Sequence, residues 1–145
     1  EVVAALGEAK RIATFGLGGC TAVAVASEFP DGSRRAYLQH YSPVEKLASA
    51  QALEKALTPT GINEPSKTQV VIVSPCNYAK DTTGKFVLKP TSFLLINLLE
   101  STSLHYLGAE ADVQVHSYWV GEESNLAIEL GATGETNIVV ESLFD

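Results

Sequence analysis

The sequence predicts an α+β domain: an antiparallel or mixed, sandwich-like β-sheet core of about seven short strands flanked by two helices. Three observations carry that expectation. Short β-branched or alternating segments recur between turns containing Gly, Pro and Asp. One segment opens with a helix capping box, and a further apolar segment has the length and composition of a second helix. At 145 residues, with 46% hydrophobic against 19% charged, the chain can bury one core, so residues 1–145 are read as a single domain.

KRIATF (10–15) and CTAVAVAS (20–27) read as two strands separated by a glycine turn. FPDGSR (29–34) is a turn by composition, so RAYLQHY (35–41) pairs as a hairpin with the strand before it. Alternation sets Ala36, Leu38 and His40 on one face and Tyr37, Gln39 and Tyr41 on the other. SPVEKLASAQALEKAL (42–57) reads as a helix. Ser42 and Glu45 form the capping box, Pro43 occupies the first helical position, and Val44, Leu47, Ala48 and Leu57 make an apolar side. After a Pro/Gly-rich loop, TQVVIVS (68–74) is continuous and β-branched, as suits a strand buried on both faces. TTGK (82–85) is a turn. Thr91 or Ser92 caps a second helix through Tyr106, which Gly108 ends. ADVQVHSYWV, NLAIEL and TNIVVESL complete the count as three strands, with GEES and GATGE as turns.

The net charge is −7, and the ten Lys and Arg residues form no basic run. Nucleic acid and an anionic membrane surface need a concentrated positive face, so neither is expected as a partner. The longest apolar patch, SFLLINLL (92–99), is too short to span a bilayer and contains an Asn. EVVAALGEAK has no basic region followed by a long apolar core, so no signal peptide is expected. The chain holds no Met, so Glu1 is not expected to be the translation start, and localisation stays open for a soluble domain. Two cysteines are too few for a disulfide framework, although a single Cys20–Cys76 bridge is available to them. Without CxxC or HxxxH spacing, no metal site is expected.

The stretch TFGLGGC (14–20) places Cys20 directly after a glycine-rich turn. Cysteine chemistry needs a thiolate, a base and donors for a developing oxyanion. Antiparallel pairing of the strands at 20–27 and 35–41 brings the start of the first beside the end of the second, which sets His40 near Cys20 as the base. Gly16, Gly18 and Gly19 allow positive φ and close approach, so backbone N–H groups there can converge as an oxyanion hole. Thr14 ends the preceding strand, where its hydroxyl can orient the imidazole. The same residues also fit a buried, inert Cys beside an ordinary turn and a partly exposed His before a helix cap. Cys76 reads as structural or pocket-lining. His116 reads as a surface residue or a neighbour of a site, and His105 lies near a helix end, where a cationic group favours stability.

The run IATFGLGGCTAVAV resembles the active-site segment of the bacterial chemoreceptor glutamine deamidase family (CheD), with its strand ending in Thr and its Leu-Gly-(Ser or Gly)-Cys turn. The cytotoxic necrotizing factor and Burkholderia lethal factor toxins share the Leu-x-Gly-Cys turn. Here it reads Leu17-Gly18-Gly19-Cys20, with Thr14 six residues before the Cys. YLQHYSP is similar to the family segment in which the catalytic His precedes a helix, and the tail 115–140 is similar in the order of its short strands. VSPCNYAKDTTGKF departs from the Gly-Gly-rich segment of the chemotaxis proteins.

The resemblance implies a protein glutamine deamidase with Cys20, His40 and Thr14 as its catalytic set, Gly18 and Gly19 in the oxyanion turn, and no cofactor. Its partner would be a protein carrying the target Gln, either a bacterial signalling protein or a host protein. The domain would then work in the bacterial cytoplasm or as a toxin or effector delivered into a host cell. A related cysteine amidohydrolase or transglutaminase, and a catalytically silent binding module on the same fold, are the alternatives.

Overall fold

Alternating and β-branched patterning resolves, in the computed structural model, into nine strands and one helix among the described residues. These are residues 2–6, 11–17, 19–41, 51, 54, 66–90, 93–107, 112–119, 124–130 and 135–142. In chain order they give β1 (Val2–Leu6), β2 (Arg11–Leu17), β3 (Thr21–Glu28), β4 (Arg34–Tyr41), β5 (Lys67–Lys80) and β6 (Phe86–Pro90). The helix α1 (Phe93–Leu107) follows, then β7 (Asp112–Trp119), β8 (Ser124–Leu130) and β9 (Thr136–Ser142). The class is α+β, dominated by strands. The larger sheet runs β1-β4-β3-β5-β6, with β7 added parallel to β5, and is therefore mixed. The smaller sheet, β2-β8-β9, is antiparallel.

The β3–β4 hairpin forms around the Pro-Asp-Gly turn. Asp31 accepts the Ser33 backbone N–H at 2.9 Å and the Ser33 hydroxyl at 2.6 Å, and Gly32 supplies a φ of 85°. The resulting register sets Ala22 opposite His40 and Thr21 opposite Tyr41.

β3 and β5 are buried on both faces because each lies inside the larger sheet with packed layers on either side. Towards the smaller sheet, Ala22, Ala24, Ala26, Ala36 and Leu38 meet Val71, Val73, Tyr118 and, across the gap, Leu17, Leu126 and Ile128. The short Ala side chains on β3 leave room for the larger side chains of the opposing sheet. On the other face, Val23, Val25, Tyr37, Val70 and Ile72 form a second cluster with Leu99 of α1.

Several expectations change. The strand count rises from about seven to nine among the described residues, because β1 and β6 also pair. The strand expected at 68–74 continues to Lys80, so Cys76 sits within it rather than at its end. Pro75 is tolerated there because the antiparallel neighbour changes at that point: β3 pairs β5 up to Val73, and β6 takes over from Cys76. A missing N–H costs least at such a seam. β2 runs on to Leu17, with a register shift between Thr14 and Leu17 that absorbs Gly16, so the glycine turn is shorter than the sequence suggests. That turn carries the chain from one sheet to the other. The helix expected at 42–57 lies outside the described residues except at Gln51 and Glu54, both helical. Of the second helix, the body is present as α1, while Thr91, Ser92 and Gly108 lie outside the described residues.

Candidate active site

Thr14 and His40 meet where β2 crosses to β3, and Cys20 lies on the same inter-sheet face. Cys20 immediately precedes β3. It is half-buried, carries a free thiol, and packs against the same inter-sheet cluster as Ala22. His40 is paired with Ala22 and, two residues beyond Leu38, shares the same face by strand alternation. Cys20, two residues before Ala22, lies diagonal to His40 along that face, and among the described residues no hydrogen bond joins its sulfur to the imidazole. Thr14 comes from β2 of the other sheet, and its Oγ1 lies 3.2 Å from His40 Nδ1. This contact spans both sheets, so their packing determines which way the imidazole faces.

His40 stands at the solvent rim, yet the protein around the ring disfavours the cation. Its pKa is lowered from 6.5, with desolvation as the leading cause. The imidazole is therefore neutral at pH 7. In the tautomer whose Nδ1–H donates to the Thr14 hydroxyl, the lone pair lies on Nε2, the state a general base requires. A hydroxyl orients the ring without adding the negative charge that would hold a proton on it.

The turn itself is held by a residue that sequence spacing did not reveal. The Tyr118 hydroxyl donates to the Cys20 carbonyl at 2.6 Å and accepts the Gly19 N–H at 2.8 Å. Partial burial pushes the phenol up to about 12, so Tyr118 stays a donor across the physiological range. The register accounts for its position: Ala22 pairs Val73, so Cys20, two residues back, lies level with Pro75, which pairs Tyr118. Gly19 has a φ of 126°, a backbone conformation suited to glycine. Its amide was expected to face an oxyanion, but it is committed to Tyr118, because the turn closes on the phenol. The Cys20 N–H is the next described donor, and Gly18 lies outside the described residues.

Among the other candidates, Cys76 is 2% exposed and its thiol is free, so the available Cys20–Cys76 bridge does not form. His116 is exposed on β7 and bonds Gln114, and His105 lies in the last turn of α1. The chain matches no family model, no curated protein and no solved structure. What the site can do therefore rests on its geometry: a half-buried thiol on the same face as an imidazole held by Thr14, on a turn braced by a protonated phenol. Such an arrangement suits nucleophilic attack on a carbonyl carbon with proton transfer through one histidine.

Proposed function

We propose that this domain is a cysteine-dependent protein glutamine deamidase built on a sandwich-like pair of sheets, of the kind its turn sequence resembles. The observation that carries the reading is the 3.2 Å contact between Thr14 Oγ1 and His40 Nδ1, which orients the ring on the face shared with Cys20.

In this reading His40 Nε2 takes the proton from Cys20 Sγ, and the sulfur attacks the side-chain carboxamide carbon of a substrate Gln. The carbonyl oxygen becomes an oxyanion that the Cys20 N–H stabilises. The tetrahedral adduct collapses as His40 returns its proton to the nitrogen, and ammonia leaves. Water, deprotonated by the same Nε2, then attacks the thioester. The C–S bond breaks, Cys20 recovers its proton, and Glu is released in place of Gln. Thr14 keeps Nδ1 engaged throughout, so Nε2 alone handles protons.

The substrate is a protein in a bacterial signalling system or in a host cell reached by an effector. The test is a comparison of proteomes incubated with the wild-type chain and with Cys20→Ser. The reading expects Gln positions that gain about one dalton only with the wild-type protein. Gain of an amine mass at those positions would make the protein a transamidase instead, and no Gln-specific change would remove the reading.

A further inference from the structure

Away from the catalytic turn, a cleft of about 240 Å³ opens between the starts of β5 and β7 on the larger sheet and the start of β9 on the smaller one. Its position follows from strand register. Gln69 pairs Asp112 and Val71 pairs Gln114. Asp112 and Gln114 share the face of Tyr118 by alternation, so they look towards the smaller sheet from a strand paired with β5 alone among the described residues. Thr136 and Ile138 face them from β9.

Two features mark the cleft as built for a ligand. Thr136 is 8% exposed, and its Oγ1 is buried without a hydrogen-bond partner among the described residues. Native proteins rarely leave such a hydroxyl unsatisfied. Among the described residues Asp112 is the only charged side chain lining the cleft, with no Lys or Arg beside it. Gln114 steadies the carboxylate by donating Nε2–H to Asp112 Oδ1 at 3.3 Å, while its Oε1 lies 3.4 Å from His116 Nε2. Acceptors thus gather at one end, and Val71 and Ile138 supply apolar wall. The Asp112 carboxylate disfavours an anion in such a cleft. An alkylammonium or alkylguanidinium group fits both its charge and its wall, with the stem along the apolar residues and the head at Asp112.

We propose that this cleft binds a basic side chain, Lys or Arg, of the polypeptide substrate. Its link to a target Gln rests on the deamidase reading; the binding itself does not. Asp112 lies level with Ala26 through Gln69, six residues from Cys20 along β3 and two strands across. That is roughly 22 Å, so about six to seven extended residues separate the basic anchor from the reacting Gln.

The test uses amide NMR on the full chain carrying Cys20→Ser, with N-acetyl-arginine methylamide as probe. N-acetyl-citrulline methylamide serves as its uncharged match, and spermidine as a free polyamine. The arginine probe is expected to shift the Gln69, Asp112, Gln114, Thr136 and Asn137 resonances saturably and to bind about ten-fold more tightly than the citrulline probe. Asp112→Asn should remove that preference. Thr136→Val, with an otherwise unchanged spectrum, should weaken arginine binding about five-fold.

Equal binding of the citrulline probe overturns the proposal. So do shifts scattered over the acidic surface that vanish at about 150 mM salt, and so does tighter binding of spermidine than of the peptide mimic. With Gln peptides, an Arg about six to seven positions away should lower KM without changing kcat, and Asp112→Asn should abolish the advantage. Binding at the cleft without ammonia release from any peptide would sink the deamidase reading and leave the cleft assignment standing.

Discussion

Cys20 stands half-buried where the chain crosses between sheets, whereas Cys76 lies inside β5, with Pro90 opposite it on β6 and Trp119 opposite it on β7. The two thiols are close in the fold, since both neighbour the row that holds Pro75 and Tyr118. Their surroundings differ in one respect that decides chemistry. Strand pairing clamps Cys76 from both sides and shuts it away from substrate. Cys20 sits just before the ladder begins, at the level where β5 exchanges β3 for β6, and stays half-exposed. In the proposed reading, that break in the sheet is what makes a nucleophile.

The largest expected effect separates the two sulfurs directly. Cys20→Ser should lower ammonia release from Gln peptides by about 10⁴-fold or more. Cys76→Ser should leave kcat within about three-fold while lowering unfolding free energy by about 1–2 kcal/mol in urea titrations, since it places a hydroxyl in a buried site. Comparable activity losses in both variants would erase the contrast.

His40→Ala should cost about 10²–10⁴-fold in kcat/KM. The pH profile of the wild-type protein sharpens this. Because the folded pKa of His40 is lowered from 6.5, the acid limb should fall below that value and should be missing from the residual activity of His40→Ala. The same shift affects stability. The unfolded chain takes up this proton more readily, so the His40 contribution is fully present above pH 6.5 and is lost as the pH drops through the lowered pKa. NMR titration of the ring protons gives the value independently.

Tyr118→Phe removes the hydroxyl that braces the turn and leaves the Gly19 N–H and Cys20 carbonyl without it. The expected cost is about 1–3 kcal/mol of stability and about a ten-fold fall in kcat, with Cys76 labelling unchanged. A smaller effect is expected from Thr14→Val. It frees the ring to rotate and should reduce kcat about ten-fold or less, with partial rescue by Thr14→Ser. A Thr14→Val protein with wild-type kcat would remove Thr14 from the site.

Much of this site is legible in the sequence because it depends on local signals. The Pro-Asp-Gly turn and period-two alternation register β3 against β4, and that register alone brings residue 40 beside residue 22. Thr14 stands out in the sequence as the end of its strand; β2 runs on to Leu17, and Thr14 sits just before the register shift instead. Tyr118 was not legible: it lies 98 residues from Cys20, and no spacing rule links a phenol on β7 to an amide before β3. The length of β5 was hidden by Pro75, which reads as a terminator unless the exchange of neighbouring strands is known. β1, VVAAL, carries too little β-branched character to stand out, and its pairing with β4 is a long-range outcome. The positive φ of Gly19 is legible in the turn sequence, but the Tyr118 hydroxyl that takes its N–H is not.

The central claim is that Cys20 is a nucleophile made reactive by His40, and timed iodoacetamide labelling tests it most directly. Near pH 7, with each thiol followed by peptide mass spectrometry, Cys20 should be alkylated at least about ten-fold faster than Cys76. His40→Ala should abolish that advantage in a protein that remains folded by circular dichroism. Equal, slow labelling of both cysteines in the wild-type chain, or an advantage that survives His40→Ala, would contradict the account.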